Sequence, residues 1–346
     1  MTVSRALRNQ RSISEATRRR IHKIARKLGY QPNPLVSIYQ SHVRSGQALN
    51  YQATLGWLND HDNREYWHDA PWTRGLFDGA HKRAKQLGYG LDEIWLDKVD
   101  THNPEANIAR YSRIIRARGI HGIILPLSSL YSHAFHLWPD VSVAVVGLQH
   151  GIARQQSPLS PASPNVYHTA SFDYFGNMRL VCERLRELGY RRIGLAIGRW
   201  LDAHSDLQYR GSFLAQQLDW PRHERVPILF EDNASNEPSR ELERWFNQHR
   251  PDAVICSANQ FKGWIEKLGR RIPAEVGLAH LYLAEDVKGW SGIDPNMPEV
   301  GAAAVDLVVQ QLRLNERGFP ATCHELFITG RWVDGQTTNI IKSGSG

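Results

Sequence analysis

Hydrophobic positions change their period along this chain. Between Ser14 and Leu28 the apolar residues Ile21, Ile24, Ala25 and Leu28 fall on one face at helical spacing. Ser14 is suited to cap that helix and Glu15 to its first turn, while Gly29, Pro32 and Pro34 are placed to end it. From residue 53 onward, short apolar runs alternate with amphipathic stretches. The spacing predicts strands at 53–58, 90–96, 122–126 and 141–146, with helices at 74–87 and 106–118. A second series begins with a helix at 176–188, stopped by Gly189, and continues with strand 193–197, helix 208–217 and strand 226–230. Helix 239–248, strand 253–256, helix 259–268, strand 276–278 and helix 298–314 complete it. Strands alternating with helices of this length imply parallel sheets covered on both faces. The Pro/Ser-rich stretch 157–164 separates the two series, which predicts two doubly wound lobes with a ligand cleft at the carboxyl ends of their strands.

Charge separates the N-terminal arm from the rest. Residues 1–46 carry ten Arg and Lys and a single acid, Glu15, whereas the other 300 residues carry 32 bases and 34 acids. The basic balance of the whole chain, net +7, therefore comes from the arm. A basic segment on a neutral body is the asymmetry expected of a DNA-binding arm. An apolar fraction of 41% over 346 residues suffices for two or three globular cores. No stretch approaches the ~20 apolar residues needed to span a bilayer, and the N-terminus lacks the apolar core of a secretion signal. Cys182, Cys256 and Cys323 form no C-x-x-C pair and read as reduced thiols of a cytoplasmic protein.

Catalytic signatures are missing. There is no G-x-G-x-x-G after a strand, no P-loop and no G-x-S-x-G elbow. His133 and His136 lack a third metal ligand, and the pairs Glu231/Asp232 and Glu285/Asp286 are adjacent residues that do not converge. No enzyme activity, cofactor or metal is expected. One segment does suit a ligand. Residues 59–72 hold Asn59, Asp60, Trp67 and Trp72, and amides, carboxylates and indole faces together fit a polyhydroxylated molecule; a lid or an interface is an equal alternative.

The runs TVSRAL, SISEATRRRI and LGYQPNP, followed by FDYFG, LGYRRIGLAIG, PDAVICSANQ, EVGAAAVDLVVQQL and GRWVDGQTT, resemble the lactose-repressor/purine-repressor (LacI/GalR) family over essentially the whole chain. The resemblance implies a partial helix-turn-helix headpiece at 1–33, a hinge helix and linker at 34–50, and a periplasmic-binding-protein-like effector domain at 51–346. Its first lobe would span about 51–156 plus 292–318, and its second about 165–284 plus 320–340. The family pattern starts one helix before Met1, which leaves Val3, Leu7 and Ile24 without their partner and implies weak DNA binding by these 346 residues alone. The same resemblance puts Thr2, Ser4, Arg8, Ser14 and Thr17 against DNA, with Arg5 reading a base and Met1 on a second specificity position. Arg can bond guanine O6 and N7 together, worth about 1–3 kcal/mol of discrimination. Tyr39 aligns with the family's minor-groove leucine and either wedges a base step or packs between two hinge helices.

For the effector, Trp72, Arg74, Phe172, Gln208, Asn259 and Tyr282 are expected to line one cleft with Asn59 and Asp60 at its rim, because strand carboxyl ends and the loops after them converge there. Phe172 keeps a stacking aromatic and Asn259 an amide. Gln208 and Tyr282 stand where relatives carry an arginine and an aspartate, which favours an uncharged ligand such as a neutral saccharide. Arg74 and Arg210 are nearby cations able to pair with an acidic sugar. The expectation is a homodimeric, ligand-responsive repressor of a catabolic operon that reads a pseudo-palindromic operator. The alternative is a carbohydrate-binding protein of the same fold with no DNA role.

Overall fold

The structure is a computed structural model that describes residues 14–27, 53–59, 63, 65, 71–95, 104–126, 141–147, 167–284 and 287–341. The chain divides into two compact units, Met1–Ala53 and Thr54–Gly346. In the first, the described element is helix α1 (Glu15–Lys27). The expected cap is present: the Thr17 amide donates to Ser14 Oγ at 3.4 Å, and the two hydroxyls lie 2.8 Å apart.

The second unit runs β1 (Ala53–Asn59), α2 (Pro71–Gln86), β2 (Tyr89–Trp95), α3 (Pro104–Ala117), β3 (Gly122–Pro126), β4 (Ser142–Val146) and β5 (His168–Phe172). It continues with α4 (Tyr174–Glu187), β6 (Ile193–Ile197), α5 (Arg199–His204), α6 (Gln208–Leu218), β7 (Leu229–Phe230), α7 (Arg240–His249) and β8 (Ala253–Cys256). The last elements are α8 (Phe261–Lys267), β9 (Gly277–His280), β10 (Ser291–Asp294), α9 (Met297–Leu314), β11 (Glu325–Ile328) and β12 (Arg331–Val333).

Two six-stranded sheets result, ordered β11-β5-β4-β3-β1-β2 and β12-β10-β9-β8-β6-β7. Among the described residues, pairing is parallel from β1 through β3, β4 and β5 to β11, and β12 joins β10 antiparallel. Strands such as β3 and β4 are apolar runs buried along their whole length, as a strand covered on both faces requires. Leu58, Tyr111, Ile123 and Val143 belong to the first core; Trp245, Val254, Phe261, Trp264 and Trp290 belong to the second. Gly189, at φ 102°, ends α4 in a conformation that a side chain would strain.

The chain passes between the sheets three times: after Phe172, after Asp294 and after Ile328. These crossings correct the lobe boundaries drawn from the sequence. Strand β5, assigned to the second lobe, lies in the first sheet, and so does β11; β10, assigned to the first lobe, lies in the second sheet. Periodicity reveals that a segment is extended, whereas its sheet is decided by long-range pairing. The crossings are bonded to one another. The Asp173 amide donates to Ile328 O at 3.0 Å, and the Gly330 amide to Asn177 Oδ1 at 2.8 Å. Arg331 donates through Nε and Nη2 to Asp294 Oδ2 at 3.0 and 2.8 Å.

Candidate functional site

Thr2, Ser4, Arg5, Arg8 and Tyr39 lie outside the described residues, as do Met1 and the hinge segment. On α1, Ser14 and Thr17 bond each other at the cap, and Arg19 pairs with Glu15 along the helix. Arg19, Arg20 and Lys23 are exposed, while Ile24 keeps 47% of its surface in solvent. A basic face is thus held on a capped helix, with an apolar residue of its other face open.

The described effector candidates lie at or after the carboxyl ends of strands (Asn59, Phe172, Asn259 and Tyr282) or in the first turn of a helix (Arg74 and Gln208). Asn59 closes β1 and is buried, its Nδ2 donating to Glu93 Oε1 of β2 at 2.8 Å. Asp60 and the Trp72 side chain lie outside the described residues. Arg74 is exposed on α2, and Asn259 is exposed in the turn between β8 and α8. Gln208 opens α6 and is partly buried. Phe172 ends β5, and Tyr282 follows β9 in the other sheet. Their rings touch edge to face, with centroids 5.8 Å apart and planes at 82°.

Two further aromatic residues, not among the candidates from sequence, adjoin this pair. Tyr174, the first residue of α4, lies 5.8 Å from Phe172, and Tyr209 of α6 lies 5.1 Å from Tyr174. Their places next to named candidates (two residues past Phe172, one past Gln208) were the available signal. Asp173 between the rings caps α4, Oδ1 accepting from the Gly176 amide at 2.7 Å. Burial pushes the Tyr174, Tyr209 and Tyr282 phenols up, so they remain neutral hydrogen-bonding groups.

Two arginines of the second unit are paired within the chain, while Arg74 is exposed on α2. Arg210 Nη2 lies 3.4 Å from Asp202 Oδ2, and its guanidinium sits over the Phe230 ring at 5.7 Å. Asp202 is 5% exposed, and burial raises its carboxyl while Arg210 opposes that rise. Arg331 is committed to Asp294. The sequence leaves Arg210 as a possible partner of an acidic sugar, and the Asp202 pairing meets that charge from within the chain. On α5, Trp200 stacks on His204 at 4.4 Å, and burial pushes the His204 imidazole down to about 4. Among the described residues no group of three or more His, Cys, Asp or Glu is arranged to hold a metal, and no helix is long and apolar enough to cross a membrane.

Residues 1–33 match the family described as bacterial regulatory proteins, lacI family, and residues 182–338 match the periplasmic binding protein-like domain. The chain thus carries a lacI-family segment at residues 1–33. No curated protein matches the sequence. Several solved structures of the family share the fold at low identity. The transcriptional regulator CelR–cellobiose complex is 18% identical, with a TM-score of 0.54 over 97% of this chain and 95% of that one. The lac repressor dimer bound to operator and the anti-inducer ONPF is 16% identical, with a TM-score of 0.56 over 98% and 94%. A LacI family transcriptional regulator from Enterococcus faecium with bound ribose is 16% identical, with a TM-score of 0.52 over 84% and 100%. The lacI family is one of regulatory proteins rather than enzymes, and the two parallel-sheet lobes are its periplasmic-binding-protein-like architecture.

Proposed function

We propose that this chain is a homodimeric, sequence-specific transcriptional repressor of a catabolic operon, released or engaged by a neutral saccharide bound between its lobes. The observation that carries the reading is the joining of a lacI-family headpiece sequence at 1–33 to a two-lobed domain. The ten-to-one basic balance of residues 1–46 supplies the charge that phosphate contacts need. Support for an uncharged effector comes from the cluster of Phe172, Tyr174, Tyr209 and Tyr282, which carries no formal charge, and from the commitment of Arg210 and Arg331 to Asp202 and Asp294. An ionised ligand buried there without a partner would be strongly disfavoured. Sugars in related structures, cellobiose and ribose, are of that neutral class.

The test is selection of DNA sites from a random pool by a form of the chain that carries a complete headpiece, followed by titration with cellobiose, glucose and ribose. The expected result is a pseudo-palindromic site whose affinity falls linearly with log salt and shifts with one of the sugars. Arg5→Ala should relax base preference at one half-site position by about 1–3 kcal/mol. Uniform weakening on all sequences would restrict Arg5 to phosphate, and a pool with no enrichment would refute the DNA-binding reading.

A further inference from the structure

Phe172 stands at the carboxyl end of β5, where a ligand between the lobes would meet its ring, yet it is only 5% exposed. The side chains against it belong to the protein: Tyr174 at 5.8 Å and, from the opposite sheet, Tyr282 at 5.8 Å. These two neighbours are held differently. Tyr174 is buried within helix α4 and packs against Tyr209, itself buried within α6. Tyr282 lies in an irregular segment after β9, is partly exposed, and is tied through its backbone amide to His280 Nδ1 at 3.1 Å. Its ring is therefore carried by a segment outside the helices that hold Tyr174 and Tyr209.

We propose that Tyr282 is a built-in competitor of the effector. Its ring takes the stacking position on Phe172 and clasps the two sheets together, and a saccharide binds by displacing it. The proposal rests on the effector reading given above. It also gives that site a regulatory consequence, because a ligand that displaces Tyr282 removes a contact between the lobes at the same moment.

An edge-to-face ring pair shifts an equilibrium by roughly 2- to 12-fold beyond the area it buries. When the binding-competent conformer is populated to a fraction f, the apparent affinity falls by that same fraction. Removal of the Tyr282 ring should therefore tighten binding by roughly 2- to 12-fold.

Calorimetric titration of the full chain with cellobiose, glucose and ribose tests this on Tyr282→Ala, Tyr282→Phe and Phe172→Ala. The competitor predicts tighter binding to Tyr282→Ala, unchanged binding to Tyr282→Phe, which keeps the ring, and weaker binding to Phe172→Ala. Weaker binding to either Tyr282 variant overturns it, because the tyrosine would then be a ligand contact. A ligand-free arm separates the two ideas: a double-mutant cycle of Phe172→Leu and Tyr282→Leu in urea unfolding, where the pair should be coupled by roughly 2- to 12-fold in the unfolding constant. Additive effects overturn the clasp. Coupling without binding of any of the three sugars to any variant overturns instead the saccharide reading of the cleft, and the competitor with it.

Discussion

Helices α2 and α9 meet backbone to backbone, and one methyl group should be enough to part them. A Cβ added at Gly79 would lie 1.9 Å from the Pro298 carbonyl oxygen, and one at Gly301 would lie 1.9 Å from the Leu76 oxygen. Ordinary contact begins near 3.4 Å, so the axes must separate by roughly 1.5 Å, and the obstructing atoms are main chain that cannot rotate away. Leu76, Ala80, Val300 and Ala304 are fully buried beside these glycines. A gap of about 0.5–1 Å already forfeits a quarter to a half of the dispersion energy of such contacts. Overpacking of this kind costs about 1–3 kcal/mol or more, offset by about 1 kcal/mol from the better helix propensity of alanine. Gly79→Ala should therefore destabilise by roughly 1–2 kcal/mol, lowering Tm by roughly 2–8 °C in a domain of this size. Gly211→Ala is the control, since no atom lies within 4 Å of its added Cβ on the exposed side of α6. There the propensity gain of up to about 1 kcal/mol stands alone, and Tm should rise. Thermal unfolding followed by circular dichroism reads both variants. An unchanged or raised Tm for Gly79→Ala would refute the close-approach argument.

Two further outcomes follow from single side chains. Asp173→Ala should destabilise by about 0.5–2 kcal/mol through loss of the α4 cap, and Asp173→Asn, which can still accept from the Gly176 amide, should lose less; urea midpoints of the two variants decide it, and equal losses would mean the cap is not the cause. His204 is 7% exposed and burial holds its pKa near 4, below its ordinary 6.5, so the unfolded chain binds the proton first as pH falls. Its stabilising contribution is complete above pH ~6.5 and is lost as pH falls towards ~4, amounting to about 3 kcal/mol at most. Replacement by a group that does not titrate, His204→Gln, should flatten the slope of stability against pH across that window, and an unchanged slope would show that the imidazole is solvated in the folded protein.

Strands with unbroken apolar runs were legible from the sequence. Strands 122–126 and 193–197 were placed with both ends correct, because five consecutive buried positions leave no competing period. His168–Phe172, Ser291–Asp294 and Glu325–Ile328 were not placed as strands. Their short, mixed sequences are extended because of neighbours distant in the chain: the His324 amide donates to His168 Nδ1 at 2.9 Å, and the Thr169 amide donates to His324 O at 3.0 Å. The reverse error came at 226–230, where Val226 is buried but its carbonyl accepts from Gln217 Nε2, leaving a strand of Leu229 and Phe230 alone. Residue types at the candidate site were legible in the same partial way. Phe172, Gln208 and Tyr282 were named singly, but nothing in the local pattern indicates that a ring from one sheet rests on a ring from the other. Likewise Arg210 carried no local sign that Asp202, on the preceding short helix, would meet its charge.

The three crossings also bear on how the lobes can be taken apart. The first sheet ends on β11, which follows the last strand but one of the chain's second series, and its α2 packs on α9, which follows β10 of the second sheet. Gln311 of α9 bonds both the amide and the carbonyl of Val143 in β4, at 3.2 and 3.0 Å. A cut at the Pro/Ser-rich stretch that divides the two series in the sequence would leave the first lobe without β5, α9 and β11. It would expose the buried faces of Val143 and Leu76 and strand polar groups that α9 now satisfies. The lobes are therefore separate as sheets but not as segments, and a perturbation at any crossing reaches both.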